Sequence, residues 1–136
     1  MIDSTNIIDQ VVNSNNNVLF ANTLVRTCSA NCNGWLNYTN GSGLFQITKP
    51  GLYEIQFNSN VASTVAGTIN LAMRSNGEIL QGSQMNVTNV ANNVYNVSAN
   101  RLIRVCGNGS TTITVSNVGA NAVAVSNPNI IIKKVA

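Results

Sequence analysis

The chain has 136 residues and a formal net charge of +3, with 44% hydrophobic and only 8% charged residues. That apolar share, rich in Val, Ile, Leu and Ala, suits one domain with a true core and excludes a disordered, charge-solvated chain. The cations Arg26, Lys49, Arg74, Arg101, Arg104, Lys133 and Lys134 are scattered without interleaved aromatics, which argues against nucleic-acid binding, and no apolar run of about 18 residues exists for a membrane span.

The first residues, Met1-Ile2-Asp3-Ser4, carry neither a basic nor an apolar leader, so synthesis in a cytoplasm without a secretion signal is expected. Residues 1–17 read as an arm distinct from the body. Ile7, Ile8, Val11 and Val12 are its candidate anchor to another protein; the simpler reading is a short strand or helical turn laid on the domain. Asn is the commonest residue, and it tolerates left-handed backbone, so many turns are expected. Turn signals fall at Asn33-Gly34, Asn40-Gly41-Ser42-Gly43, Pro50-Gly51, Asn76-Gly77, Asn108-Gly109 and Asn127-Pro128, with short β-branched runs between them. That spacing is the pattern of an all-β sandwich or barrel.

The clearest strand is residues 52–61. Tyr53, Ile55, Phe57, Ser59 and Val61 share one face, and Leu52, Glu54, Gln56, Asn58 and Asn60 the other, wetter one. Residues 68–74 alternate as well, with Ile69, Leu71 and Met73 inward, and Asn76-Gly77 turns the chain back into Glu78-Ile79-Leu80. Residues 94–98 and 102–106 read as two short strands. Residues 110–117 place Ile113 and Val115 inward and Thr112, Thr114 and Ser116 outward. The last strand, residues 129–135, has apolar residues on both faces, as in a strand that is central or covered by a partner subunit.

Catalytic chemistry is poorly supplied. There is no His, so Ser–His and Cys–His pairs are ruled out. The acidic side chains are Asp3, Asp9, Glu54 and Glu78, and a carboxylate pair requires Glu54 and Glu78 to meet. Gly41-Ser42-Gly43 lacks the lysine of a phosphate loop. Cys28, Cys32 and Cys106 are odd in number and lack His partners, so buried or half-buried free thiols are expected rather than a disulfide framework or a zinc site. The Asn-X-Ser/Thr sequons at Asn37, Asn40, Asn86, Asn96 and Asn108 are expected to be unused. No enzyme activity, cofactor or metal is expected. Trp35 and Tyr38 are the candidate ligand loop, as a sugar-stacking platform; the plainer reading is that they plug one end of the barrel.

The run Gly43-Leu-Phe-Gln-Ile-Thr-Lys-Pro-Gly51-Leu-Tyr53-Glu-Ile-Gln-Phe57 resembles a signature of the tumour necrosis factor and complement globular-head superfamily. Leu71-Ala-Met-Arg-Ser-Asn-Gly77-Glu-Ile-Leu is similar to that family's hairpin. Thr112-Ile-Thr-Val115 and Asn129-Ile-Ile-Ile132 are similar to its last two strands. The resemblance covers residues 18–136 and implies a ten-stranded jelly-roll sandwich that packs as a homotrimer. It further implies that Tyr53, Phe57, Ile130 and Ile132 lie in the core or the trimer seam. The chain looks most similar to short bacteriophage and bacterial spore-surface members, and it lacks a collagen-like stalk. The expectation is therefore a non-enzymatic virion protein, a trimeric decoration or fibre-head module joined to other virion proteins through residues 1–17. The alternative is a receptor- or carbohydrate-binding module of a phage, spore or cell surface, with cell-surface glycan as its partner.

Overall fold

The computed structural model describes residues 1–26, 34–107 and 109–136. Among them are twelve strands in chain order: β1 (Ile2–Thr5), β2 (Gln10–Val12), β3 (Asn22–Arg26), β4 (Leu36–Asn37), β5 (Phe45–Ile47), β6 (Gly51–Ala62), β7 (Gly67–Ser75), β8 (Glu78–Ile79), β9 (Met85–Asn89), β10 (Tyr95–Val105), β11 (Thr111–Asn117) and β12 (Val123–Lys134). They form two antiparallel sheets. The first runs β10-β6-β12-β1-β3, with β2 also pairing β12; the second runs β4-β5-β11-β7-β8, with β9 also pairing β7.

Each long strand follows from alternation that buries one face. In β6, Tyr53, Ile55, Phe57, Ser59 and Val61 are all buried, as expected from the sequence. In β7, Ile69, Leu71 and Met73 are inward, and Asn76 and Gly77 take positive φ of 52° and 84° at the hairpin to β8. These φ values are those of a tight two-residue turn that matches strand twist. The inward faces meet in one core, in which Phe20 contacts Phe45 and Phe57 edge-on at centroid distances of 5.6 and 6.3 Å. Edge-on contact sets the positive rim of one ring against the negative face of another.

Four expectations change. The ten strands become twelve, of which β2, β4, β5 and β8 are pieces of two or three residues. The two short strands at 94–98 and 102–106 are one, β10, which pairs with β6 without interruption from Tyr95↔Val61 to Val105↔Gly51. Asn127-Pro128 is not a turn between strands but a bulge within β12, where the register shifts between Ser126 and Asn129 and Asn127 has φ 48°. Proline has no N–H for the ladder and is accommodated at such a bulge.

The fourth concerns residues 1–17, where strand pairing shows no boundary between an arm and a body. β1 lies between β12 and β3, with Ile2 opposite Ile132 and Arg26. Ile2 is completely buried, and Val12 is buried opposite Val123. Residues 15–18 run beside β11: Asn15 N–H donates to Asn117 O at 2.7 Å, and Val18 N–H donates to Val115 O at 2.8 Å. This cover explains why Thr114 and Ser116, outward by alternation, are buried. Ser116 Oγ donates to Asn17 Oδ1 at 2.7 Å.

Candidate functional site

The four residues assigned to core or seam fall in the core. Tyr53, Phe57, Ile130 and Ile132 are all buried within the single chain. They belong to the inward phase of adjacent strands, with Ile130 opposite Phe57 and Ile132 opposite Ile55. A seam in this sheet must use the other phase of the same strands.

That other phase forms a face in cross-strand rows. Asp3, Ile131, Gln56 and Asn100 make one row across β1, β12, β6 and β10. Lys133, Glu54 and Leu102 make the next, and Leu52 with Arg104 the one beyond. Toward the opposite end stand Asn129, Asn58 and Ser98. Leu102 is 56% exposed, although it is large and apolar. Glu54 is the hub of the face. Its Oε1 accepts from Gln56 Nε2 at 2.6 Å and from Asn100 Nδ2 at 3.2 Å, and its Oε2 lies 3.3 Å from Lys133 Nζ. The hydrogen bonds from Gln56 and Asn100, and then Lys133, hold the Glu54 carboxyl below its ordinary range. A shallow depression beside Glu54, Asn100, Arg101 and Leu102 has a volume of about 460 Å³.

The catalytic options stay apart. Glu54 is in the first sheet and Glu78 in the second, so the two carboxylates make no pair across one sheet. Among the described residues no three His, Cys, Asp or Glu side chains gather as metal ligands. Cys28 and Cys32 lie outside the described residues. Cys106 is a free thiol, exposed rather than buried. It follows buried Val105 at the end of β10 and takes the outward phase of that strand's alternation.

Trp35 and Tyr38 are partly buried and pack against the core. The Trp35 ring meets Tyr53 at 5.0 Å, and the Tyr38 ring stacks on Phe45 at 4.2 Å with planes 9° apart. The Tyr38 hydroxyl donates to the Phe20 carbonyl. Burial raises the Tyr38 phenol above its ordinary range. The stack on Phe45 occupies one face of the Tyr38 ring.

The anchor residues divide. Val12 is buried, whereas Ile7, Ile8 and Val11 are 74%, 69% and 70% exposed. The turn that presents the two isoleucines is fixed by amides: Ile7 N–H donates to Asn22 Oδ1, Ile8 N–H to Asn6 Oδ1, and Asn6 Nδ2 to Leu19 O. Val11 also borders an apolar groove of about 240 Å³ with Ala62, Thr64, Asn92, Ala122 and Ala124. The sequence signal for the face around Glu54 was present in the outward phase of residues 52–60, but nothing local showed which strands would flank it.

No family model and no curated protein matches the chain. Solved structures do. The globular domain of zebrafish complement 1qA aligns over 96% of this chain and 94% of its own, at 16% identity and TM-score 0.65. Murine APRIL aligns over 98% and 97%, at 14% identity and TM-score 0.69. The Eiger TNF from S. frugiperda aligns over 100% and 92%, at 8% identity and TM-score 0.68. At these identities the likeness is one of fold, and it spans nearly the whole chain: the protein is a jelly-roll sandwich of the kind found in tumour necrosis factor and complement C1q globular domains.

Proposed function

We propose that the protein is a non-enzymatic, homotrimeric module on the surface of a bacteriophage particle, a decoration or fibre-head protein. The observation that carries the trimer is the outward face of the first sheet. Gln56, Asn58, Asn100 and Ile131 are its uncharged members, Leu102 stands out of it 56% exposed, and Glu54 and Lys133 pair across it. Closing such a face against copies of itself removes the apolar area of Leu102 and Ile131 from water, and the pairing of Glu54 with Lys133 lowers the cost of taking those two charges out of it. The jelly-roll fold and the sequence resemblance support the same assembly. The particle role is supported by the sequence resemblance to short phage members, and spore or cell surface is the alternative location.

In this reading attachment runs through Ile7, Ile8 and Val11, held out on a fixed turn, and Val12 serves the core. The test has two parts. Light scattering at micromolar concentration is expected to give three times the 14.4 kDa chain mass, and Leu102→Arg with Gln56→Arg to give a folded monomer. A strict wild-type monomer overturns the assembly. Mass spectrometry of purified particles from the source is expected to find the protein, and Ile7→Ser with Ile8→Ser to release it while the trimer persists. Its absence from particles overturns the location.

A further inference from the structure

The seven cations are dispersed in sequence, but the fold brings five of them to one end of the first sheet. Arg26 stands opposite Ile2, which stands opposite Ile132. Lys133 and Lys134 follow at once, opposite Glu54 and Tyr53. Arg104 is opposite Leu52. Lys49 lies two residues before β6, and its carbonyl accepts from Tyr53 Oη at 2.8 Å. Five cationic side chains thus occupy one end of the five-strand path β10-β6-β12-β1-β3, a span of about 19 Å at the usual strand spacing. Glu54 is the carboxylate among them and is paired with Lys133. Asp3 stands one row away, bonded to Asn129 at 2.5 Å. Glu78 and Arg74 share this end in the second sheet and offset each other in charge. At the opposite end the four loops 13–17, 63–66, 90–94 and 118–122 hold no charged side chain. Lys49, Arg104 and Lys134 are exposed.

We propose that this basic end binds an anionic polysaccharide, a sugar chain bearing carboxylate, sulfate or phosphate groups. Clustered cations with few internal counter-charges raise the local potential and draw in a polyanion, with release of its condensed counterions. The neighbouring groups suit sugar hydroxyls. Thr48 lies beside Lys49, and Gln46 Nε2 donates to Ser110 Oγ at 3.2 Å on the adjoining strands. Nucleic acid is disfavoured by the state of the rings at this end. Trp35 packs on Tyr53, and Tyr53 is buried, so among the described residues these two rings at this end are engaged with the core. The cations are placed on the single chain; Arg104 and Lys133 stand on the outward face that the proposed trimer closes, whereas Lys49, Arg26 and Lys134 do not.

The test is binding of the full chain to immobilised heparin, with neutral dextran and single- and double-stranded DNA in parallel. Heparin is expected to retain the protein at low salt. Affinity is expected to fall about a hundredfold between 50 and 200 mM salt if four cations make contact. Lys49→Gln, Arg104→Gln and Lys134→Gln together are expected to weaken binding at least about tenfold and flatten the salt dependence. Arg101→Gln, whose guanidinium lies beside Gly82, is expected to leave it within about twofold. On the wild type, heparin is expected to protect Lys49 and Lys134 from acetylation, a readout that needs no variant. Retention no greater than on dextran, equal loss in both variants, or unprotected lysines overturns the site. DNA bound as tightly as heparin overturns the polysaccharide assignment.

Discussion

Lys133 Nζ lies 3.3 Å from Glu54 Oε2, across the β12–β6 pairing on the open face of the first sheet. The same carboxylate accepts from Gln56 and Asn100, so one acid ties three strands together on a face that also carries Asp3 and Arg104. This relationship sets the first prediction.

The Glu54 carboxyl is held below its ordinary range by these hydrogen bonds and by Lys133. A folded-state pKa below the unfolded one gives stability that is complete above the unfolded value and is lost as pH falls through the folded value. NMR titration is expected to find Glu54 still ionised at pH values where an ordinary glutamate has protonated. Glu54→Gln is expected to remove the corresponding part of the acid dependence of unfolding. An unshifted Glu54 titration contradicts the network.

Phe57→Ala is expected to cost about 3–5 kcal/mol in denaturant unfolding, because the buried ring leaves a cavity facing Phe20. Gln56→Ala, one residue away on the outward phase, is expected to cost less than about 1 kcal/mol in the monomer. Similar costs for the two would contradict the assignment of faces.

Asn117 is fully buried, and its amide donates to Val12 O at 2.9 Å and Asn121 O at 2.8 Å, while its Oδ1 accepts from Gly119 N–H at 3.0 Å. Asn117→Ala strands these backbone groups out of water and is expected to cost about 1–3 kcal/mol or more. Hydrogen exchange is expected to quicken at Gly119. Unchanged exchange and stability would show that water replaces the amide.

A Cβ added at Gly43 would lie 2.5 Å from the Val18 carbonyl oxygen and 3.0 Å from Asn17 Cβ. The residue is buried, and its neighbour is backbone, so relief requires moving the segment that covers β11. Gly43→Ala is expected to lower the melting temperature and to expose Ser116. Wild-type melting would mean that the 15–18 segment is loosely held.

Residues 1–17 supply β1 and β2 to the first sheet, so deleting them removes the strand between β12 and β3 and uncovers Ile132. The truncated chain is expected to lose cooperative unfolding by circular dichroism. A truncated chain that still melts cooperatively near the wild-type temperature would mark residues 1–17 as an accessory arm after all.

Alternation in residues 52–61 and 68–74 was enough to assign the buried faces of β6 and β7, because side-chain direction in a strand has period two and is set locally. The missing His and sparse acids were equally plain, since they are matters of composition. Turn chemistry was legible at Asn76-Gly77 and misleading at Asn127-Pro128, where the same left-handed asparagine makes a bulge within a strand. The roles of Ile130 and Ile132 were half legible: alternation marked them as apolar, but only the neighbouring Phe57 and Ile55 showed them to be enclosed within one chain.

The sequence by itself determined an all-β chain of short strands, the phase of its longest strands and the poverty of its catalytic groups. The tertiary structure decided that Ile2 pairs with Ile132, that Glu54 and Glu78 sit in different sheets, and that Arg26, Lys49, Arg104, Lys133 and Lys134 share one end. The reason is range. A residue's face follows from its neighbours along the strand, whereas pairing between strands more than a hundred residues apart depends on every other strand finding its place, and charge clusters are made by that pairing alone.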